Sequence, residues 1–183
     1  MNTSIFSKTL ISKYKEQIFS ESKCKIDSIT DNTNALRVLF VHDRFAPDYA
    51  GGGEYFILRL AQALQLKGVQ VSVLTTGDPC ITEFEGIRTQ RLAVSSYRFN
   101  GVWRKVINAA QHVDVIHTFT YHGFLPARIA ATILKKPLVC TILAFFDRTW
   151  HDMKVPILGL CFQFFEHFIL KQRMDAKIFI SDY

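Results

Sequence analysis

Residues 36–76 decide the fold; they read LRVLFV (36–41), HDRFAPDYAGGG (42–53), EYFILRLAQALQLKG (54–68) and VQVSVLTT (69–76). The first and last of these segments are apolar runs that predict buried strands. Between them, apolar residues recur at helical spacing until Gly68 supplies a helix stop. A strand, a helix and a second strand in this order predict a parallel pair joined by a crossover helix.

The same alternation continues along the chain. The sequence predicts extended segments at 81–94, 114–120, 137–143 and 176–181, and helices at 101–111, 124–134 and 156–174. We therefore predict an α/β fold: a Rossmann-like, doubly wound parallel sheet with helices on both faces. Residues 1–35 are rich in Ser, Lys, Asn and Asp and are expected to form a flexible or partly helical extension before a domain spanning 36–183.

Composition narrows the class of protein. The chain has 183 residues, of which 49% are hydrophobic, enough for one domain with a substantial core. Its cysteines are far apart and show no metal-ligand spacing, which favours a reducing compartment; they are Cys24, Cys80, Cys140 and Cys161. Because no secretory signal is recognisable and the longest apolar run, 155–170, is shorter than a membrane span, we expect a cytoplasmic protein, with peripheral attachment to the inner face of the membrane as an alternative.

Parallel sheets of this kind bind ligands outside the carboxyl ends of their strands, which selects the loops 42–53, 118–124 and 143–152. In the first loop, Gly51, Gly52 and Gly53 let the backbone approach a ligand, and the N–H groups of the following helix favour an anion. The spacing matches neither a dinucleotide fingerprint nor a P-loop, so a stand-alone nucleotide-binding domain is disfavoured. A flexible turn before a helix is the plainer interpretation.

Three histidines and one glutamate are expected at this rim. His42 follows the first strand, His117 and His122 lie near the end of the 114–120 strand, and Glu54 opens the first helix. Together they predict contacts with a substrate, although each histidine alone is more often structural and the helix dipole alone explains Glu54. No companion set of carboxylates or cysteines accompanies them, so we expect no metal site.

Positive charge is concentrated in residues 86–136, which hold eight basic residues and one acidic residue, Asp114. Some of these cations are interleaved with Tyr97, Phe99 and Trp103; they are Arg88, Arg91, Arg98, Arg104 and Lys105. Cations interleaved with aromatic residues suit an anionic membrane surface, while an ordinary solvated surface is the alternative. We expect no nucleic-acid partner.

Several segments together carry a family resemblance: LRVLFV, Pro47, Gly-Gly-Gly-Glu at 51–54, LAQAL at 60–64, Gly68, VQVSVLT, DVIH at 114–117, KPLVCT at 136–141 and DAKIFIS at 175–181. From Leu36 onward the chain resembles the N-terminal domain of a GT-B fold glycosyltransferase of family 4. The resemblance covers about four fifths of the chain; the combination is specific although each segment alone is weak.

The resemblance implies an enzyme that transfers a sugar from a nucleotide-sugar to an acceptor with retention of anomeric configuration. Its N-terminal domain holds the acceptor, and Gly51 and Gly52 would approach the donor phosphate or sugar. A second domain would bind the nucleotide-sugar, which is the donor substrate; no other cofactor is expected. Because no such domain is recognisable here, the chain is expected to be truncated and inactive alone. The alternative is a non-catalytic module that docks on a separate donor-domain chain or on an anionic membrane.

One position departs from the family pattern. Many family members have a histidine soon after the threonine of the fifth strand, and Leu143 takes that place here. Because leucine cannot hydrogen-bond a sugar hydroxyl, Asp147 and His151 in the following loop are the candidates to substitute for it. The catalytic residues are left unassigned.

Overall fold

A computed structural model describes residues 35–153 and 156–180, so the predicted extension before residue 35 lies outside the described part of the chain. The strands are β1 (Arg37–Val41), β2 (Gln70–Thr76), β3 (Glu83–Phe84), β4 (Ile87–Leu92), β5 (Val115–Phe119), β6 (Leu138–Ile142) and β7 (Ala176–Phe179). The helices are α1 (Gly52–Gln65), α2 (Ser96–Phe99), α3 (Trp103–Ala110), α4 (Phe124–Leu134), α5 (Thr149–Met153) and α6 (Pro156–Lys171).

The described strands form one sheet in the order β3-β4-β2-β1-β5-β6-β7. All neighbouring strands are parallel except β3, which pairs antiparallel with β4. β1 lies between β2 and β5, with Phe40 opposite Val73 on one side and His117 on the other. The chain moves one way from β1 to β2 and the other way from β5 to β7, so the carboxyl ends of β1 and β5 mark the topological switch point where such sheets bind ligands.

Side chains alternate between the two faces of the sheet, and each face buries its own apolar cluster. On one face α1 packs through Ile57 and Leu64 against Phe40 of β1. On the other face α3 and α4 pack against a cluster that includes Leu39 and Ile116. The predicted doubly wound α/β sheet, with helices on both faces, is therefore confirmed.

The structure refines the predicted elements at three places. The extended segment 81–94 is a hairpin of β3 and β4, turned by Glu85 and Gly86 with φ of 45° and 80°. The short helices α2 and α5 were not predicted, because four or five residues show too little of the helical period. The last predicted helix ends at Lys171 rather than residue 174. Among the described helices, none combines the length and the apolar composition that a membrane span requires.

Candidate functional site

The glycine turn, residues 51–53, begins α1 at the carboxyl edge of the sheet. Gly51 is the N-cap residue with an extended backbone (φ −99°, ψ 172°) and no side-chain cap. The first N–H groups of a helix have no partner within the helix, and here no capping side chain satisfies them. Gly51 and Gly52 are exposed, so these donors are open to a ligand.

Glu54 and Leu143 border the glycine turn. A Cβ atom on Gly51 would lie 2.3 Å from Oε2 of Glu54, which folds back over the turn. A Cβ on Gly53 would lie 3.5 Å from Cδ1 of Leu143, while one on Gly52 would meet no atom within 4 Å. A ligand therefore has the freest approach to the backbone at Gly52.

His42 lies directly after β1 and is only 7% exposed. Its Nδ1 is 3.7 Å from Oδ1 of Asp43 and has no hydrogen-bond partner among the described residues. Burial lowers the pKa of His42, and the negative charges of Asp43 and Glu54 oppose that shift. This shift favours the neutral imidazole, in which one ring nitrogen donates and the other accepts; Nδ1 is buried, which leaves Nε2 as the nitrogen to bond a ligand hydroxyl.

His122 lies near His42, across the end of β5, and its Nδ1 is 3.0 Å from Nδ2 of Asn100. The ring of Tyr97 packs edge-on against it, with the centroids 5.4 Å apart. Burial lowers the pKa of His122, and the charge of Asp43 opposes that shift. The structure thus places His42 and His122 near each other, and their contact with a substrate stays a prediction.

Sequence reasoning missed Asp43 and Asn100 as members of this group. Asp43 is 4% exposed, and the Thr76 hydroxyl donates to its carbonyl oxygen at 2.6 Å. Its carboxylate oxygens lie 3.7 Å from His42 Nδ1 and 3.7 Å from Arg44 Nε. The only signal for Asp43 was its place two residues after a strand, whereas Asn100 follows a helix that the periodicity did not reveal.

The prediction that His117 lines the rim is wrong for this structure. His117 is 0% exposed in the interior of β5, where its Nε2 is 2.8 Å from Oγ1 of Thr141 and its ring stacks on Phe119. Burial lowers its pKa to about 3, so the imidazole is neutral at physiological pH. His117 belongs to the core beneath α1 and does not reach the surface.

Gly123 allows the loop after β5 to lie against the end of β1. A Cβ atom there would lie 2.5 Å from the carbonyl oxygen of Val41 and 3.2 Å from Cα of His42. Backbone atoms cannot yield as a flexible side chain can, so only glycine fits this approach. This contact sets the distance between His42 and the loop that carries His122.

Asp147 and His151 do not substitute for the histidine that the resemblance predicts at the position of Leu143. Gln163 of α6 donates to Oδ1 of Asp147 at 2.8 Å, and its Oε1 is 3.0 Å from Nε2 of His151. The Gln163 bond lowers the pKa of Asp147. No hydrogen bond found in the described part of the chain joins either residue to the glycine turn.

Glu166 of α6 holds the loop that follows β6, and sequence reasoning did not identify it. This carboxylate is 2% exposed and accepts bonds from the backbone N–H groups of Phe146 at 3.1 Å and Asp147 at 2.8 Å. The Tyr121 hydroxyl donates to it at 2.6 Å. Burial, together with Glu166, raises the pKa of Tyr121. Glu166 thereby connects the loops after β5 and β6.

Arg91 is a buried anchor, so its predicted place in a membrane-facing patch is wrong. Its guanidinium is 0% exposed and lies 2.5 Å from Oδ2 of Asp48. It also donates to the carbonyl oxygens of Ala46 and Ile81. These bonds tie the loop before the glycine turn to β4. A Cβ on Gly77 would lie 2.0 Å from Oδ2 of Asp48, so a side chain there would displace Asp48.

The other predicted patch residues are exposed but lie on three separate elements: Arg88 on β4, Arg98 in α2, and Arg104 and Lys105 in α3. Arg104 stacks over the Trp103 ring at 5.0 Å. A common anion-binding role for these four residues stays a prediction. In the described segments, no group of three histidine, cysteine or acidic side chains is arranged to hold a metal ion.

Comparison with known proteins agrees with the fold. The sequence model of Glycosyltransferase Family 4 matches residues 50–183. Among solved structures, sucrose-phosphate synthase from Thermosynechococcus elongatus superimposes with a TM-score of 0.55 at 15% identity, over 78% of this chain and 41% of that chain. The chain therefore spans less than half the length of this structural relative. Comparison with curated protein sequences finds no significant match.

The structural likeness shows the fold, and the family match extends over most of the chain. The matched region includes the glycine turn, His122 and Glu166. The resemblance seen in the sequence is thereby confirmed. The chain belongs to glycosyltransferase family 4.

Proposed function

We propose that this chain supplies the acceptor-side domain of a retaining glycosyltransferase, which transfers a sugar from a nucleotide-sugar to an acceptor. Family membership supports the reaction class. The chain covers 41% of its structural relative. In the proposed enzyme, a second unit, comparable to the uncovered part of that relative, would bind the donor. Catalysis would occur in the cleft between the two units, at the carboxyl edge of this sheet.

The observation that carries the proposal is that the glycine turn and a buried polar group share one edge of the sheet. The charge of Glu54, beside the turn, acts on the pKa of His42, and the charge of Asp43 acts on the pKa of both His42 and His122. These side chains therefore lie in the same region, at the carboxyl edge of the sheet. An open helix N-terminus beside hydrogen-bonding side chains suits a phosphate next to a sugar.

The residues of the site would have two roles, one toward the donor and one toward the acceptor. The backbone at Gly52 has open space above it and would lie against the donor phosphate or sugar. His42 and His122 would bond hydroxyl groups of the acceptor, each as a neutral imidazole that can donate or accept. Asp43, 3.7 Å from Nδ1 of His42, would orient the His42 ring, and Asn100 would orient the ring of His122. Leu143 supplies an apolar contact beside the turn instead of the family's usual histidine.

The test is a titration of the ¹⁵N-labelled chain with monosaccharides, disaccharides and methyl glycosides. We expect the largest amide shifts in residues 42–53, 98–100 and 120–124. Replacing His122 by alanine removes one hydrogen bond to the sugar and should weaken binding about tenfold. The matched control is His112→Ala, because His112 is exposed and lies outside the rim.

Two results would contradict the acceptor site. Saccharide-induced shifts could map to the opposite, amino-terminal edge of the sheet, away from the rim. Alternatively, His122→Ala could bind the same saccharide as tightly as the unmodified chain and the His112→Ala control. Either result would show that the polar group of His42, Asp43 and His122 does not bind the acceptor.

A further inference from the structure

The outward face of α6 is apolar along almost its whole length. Ile157 is 81% exposed, Phe164 is 68% exposed and Phe168 is 46% exposed. The exposed α6 side chains before the last turn are Ile157, Leu158, Leu160, Cys161, Phe164 and Phe168, hereafter the α6 stripe. Most of these positions recur at spacings of three and four residues, so they form one continuous face of the helix.

The opposite face of α6 is firmly packed, so the stripe is not the exposed side of a detached helix. Ile169 is 0% exposed in the cluster beneath α4, and Glu166 is buried on the loop after β6. A Cβ on Gly159 would lie 2.8 Å from the carbonyl oxygen of Trp150, which shows how closely α6 approaches α5. The helix thus presents apolar side chains on both faces.

Phe145 extends the stripe beyond the helix. It is 52% exposed, and its ring centroid is 5.8 Å from that of His167 of α6. Large contiguous apolar patches on a protein surface mark sites that contact another protein or a membrane. Single exposed residues, such as Leu66 at the end of α1, carry no such meaning.

Charge at the end of the stripe indicates what covers it. Lys171 and Arg173 are exposed there; Asp175 is exposed too, but its carboxylate accepts a hydrogen bond from the backbone N–H of Leu138, and Glu166, the acidic residue within α6, faces inward. An apolar face with cations beside it is the pattern of helices that lie in the interface of an anionic bilayer. The stripe, from Ile157 to Phe168, is about 17 Å long at 1.5 Å per residue, so a flat surface can contact all of it.

The geometry disfavours a donor-binding unit as the cover. A crossover helix between parallel strands runs antiparallel to them, so only the first turn of α6 lies near the carboxyl edge. A unit across the cleft would contact Ile157 but leave Phe164 and Phe168 uncovered. We propose that the α6 stripe lies flat on an anionic membrane, with Phe164 and Phe168 in the headgroup boundary and Lys171 beside lipid phosphates.

This surface differs from the basic residues of β4, α2 and α3 that the sequence suggested. The proposal does not rest on the acceptor site, because no residue of the rim takes part in it. A failure of saccharide binding would therefore not contradict the membrane proposal. A failure of vesicle binding would likewise not contradict the acceptor site.

The test is flotation of the full chain with vesicles of phosphatidylcholine, with and without phosphatidylglycerol. We expect tighter binding to the anionic vesicles and weaker binding as salt rises. Phe164→Glu should weaken binding about tenfold, and adding Phe168→Glu should abolish it. Leu66→Glu is the matched control, because Leu66 is 87% exposed on a different helix, and it should bind as the unmodified chain does.

Circular dichroism of each variant checks that the fold is kept, and sedimentation velocity measures self-association. The proposal is overturned if the unmodified chain does not float with anionic vesicles, or if the double variant floats as well as the Leu66→Glu control. A dimer that the double variant abolishes, without vesicle binding, would also overturn it and would assign the stripe to a second copy of the chain.

Discussion

Replacing Arg91 by alanine is expected to lower the free energy of unfolding by about 3–5 kcal/mol. The guanidinium is fully buried and paired with Asp48 at 2.5 Å, and it also donates to two backbone carbonyls. Its removal leaves the Asp48 carboxylate and those carbonyls without their donor. Urea unfolding would show the loss as a lower midpoint at an unchanged slope.

Arg88→Ala is the matched control, since Arg88 lies on the same strand with an exposed side chain. It should change the free energy of unfolding by about 0.5 kcal/mol or less. Arg91→Lys keeps the charge but loses the forked guanidinium, so its free energy of unfolding should lie between those of Arg91→Ala and Arg88→Ala. Equal stabilities of Arg91→Ala and Arg88→Ala would show that Arg91 does not anchor the loop before the glycine turn.

Replacing Glu166 by alanine is expected to cost about 3 kcal/mol. The substitution leaves the N–H groups of Phe146 and Asp147 and the Tyr121 hydroxyl without the carboxylate that they share. We also expect faster amide exchange in residues 144–148, because the loop after β6 loses its attachment to α6. Urea unfolding measures the first effect and hydrogen exchange the second.

The matched control is Lys171→Ala, an exposed position on the same helix, which should leave both quantities unchanged. Glu166→Gln keeps one carbonyl acceptor and should lose less than Glu166→Ala. If Glu166→Ala exchanges its loop amides at the rate of the Lys171→Ala control, the carboxylate does not hold the loop.

The main features of the fold follow from the sequence for simple physical reasons. Strands buried on both faces are continuous apolar runs, as in LRVLFV, and helices between them show one apolar stripe. These signals are local, so they can be recognised in the sequence without knowledge of tertiary contacts. The short helices α2 and α5 cannot be recognised in this way, because their positions depend on packing against distant elements.

The candidate site was only partly predictable. The glycine turn, His42 and His122 follow from the rule that ligands bind at the carboxyl ends of parallel strands. His117 did not fit, because it shares a face of β5 with Phe119, which packs in the core under α1, and sequence position alone does not show which face a strand residue occupies. Arg91 was misjudged because its partner Asp48 is 43 residues away in sequence.

The α6 stripe shows a similar limit. The run 155–170 reads as apolar throughout, which indicates a core helix or one at a membrane surface without distinguishing them. The structure separates the two faces, since Ile169 is buried and Phe164 is exposed. Which face is covered within the domain is a property of tertiary packing.

The central proposal, that this chain supplies the acceptor-side domain of a glycosyltransferase, is tested most directly with the donor. The full chain would be titrated calorimetrically with UDP-glucose and GDP-mannose, while released nucleotide is measured in the presence of the saccharides it binds. The account predicts no saturable donor binding and no nucleotide release. Micromolar donor binding with nucleotide release that depends on the saccharide would contradict it, because the chain would then hold a complete active site by itself.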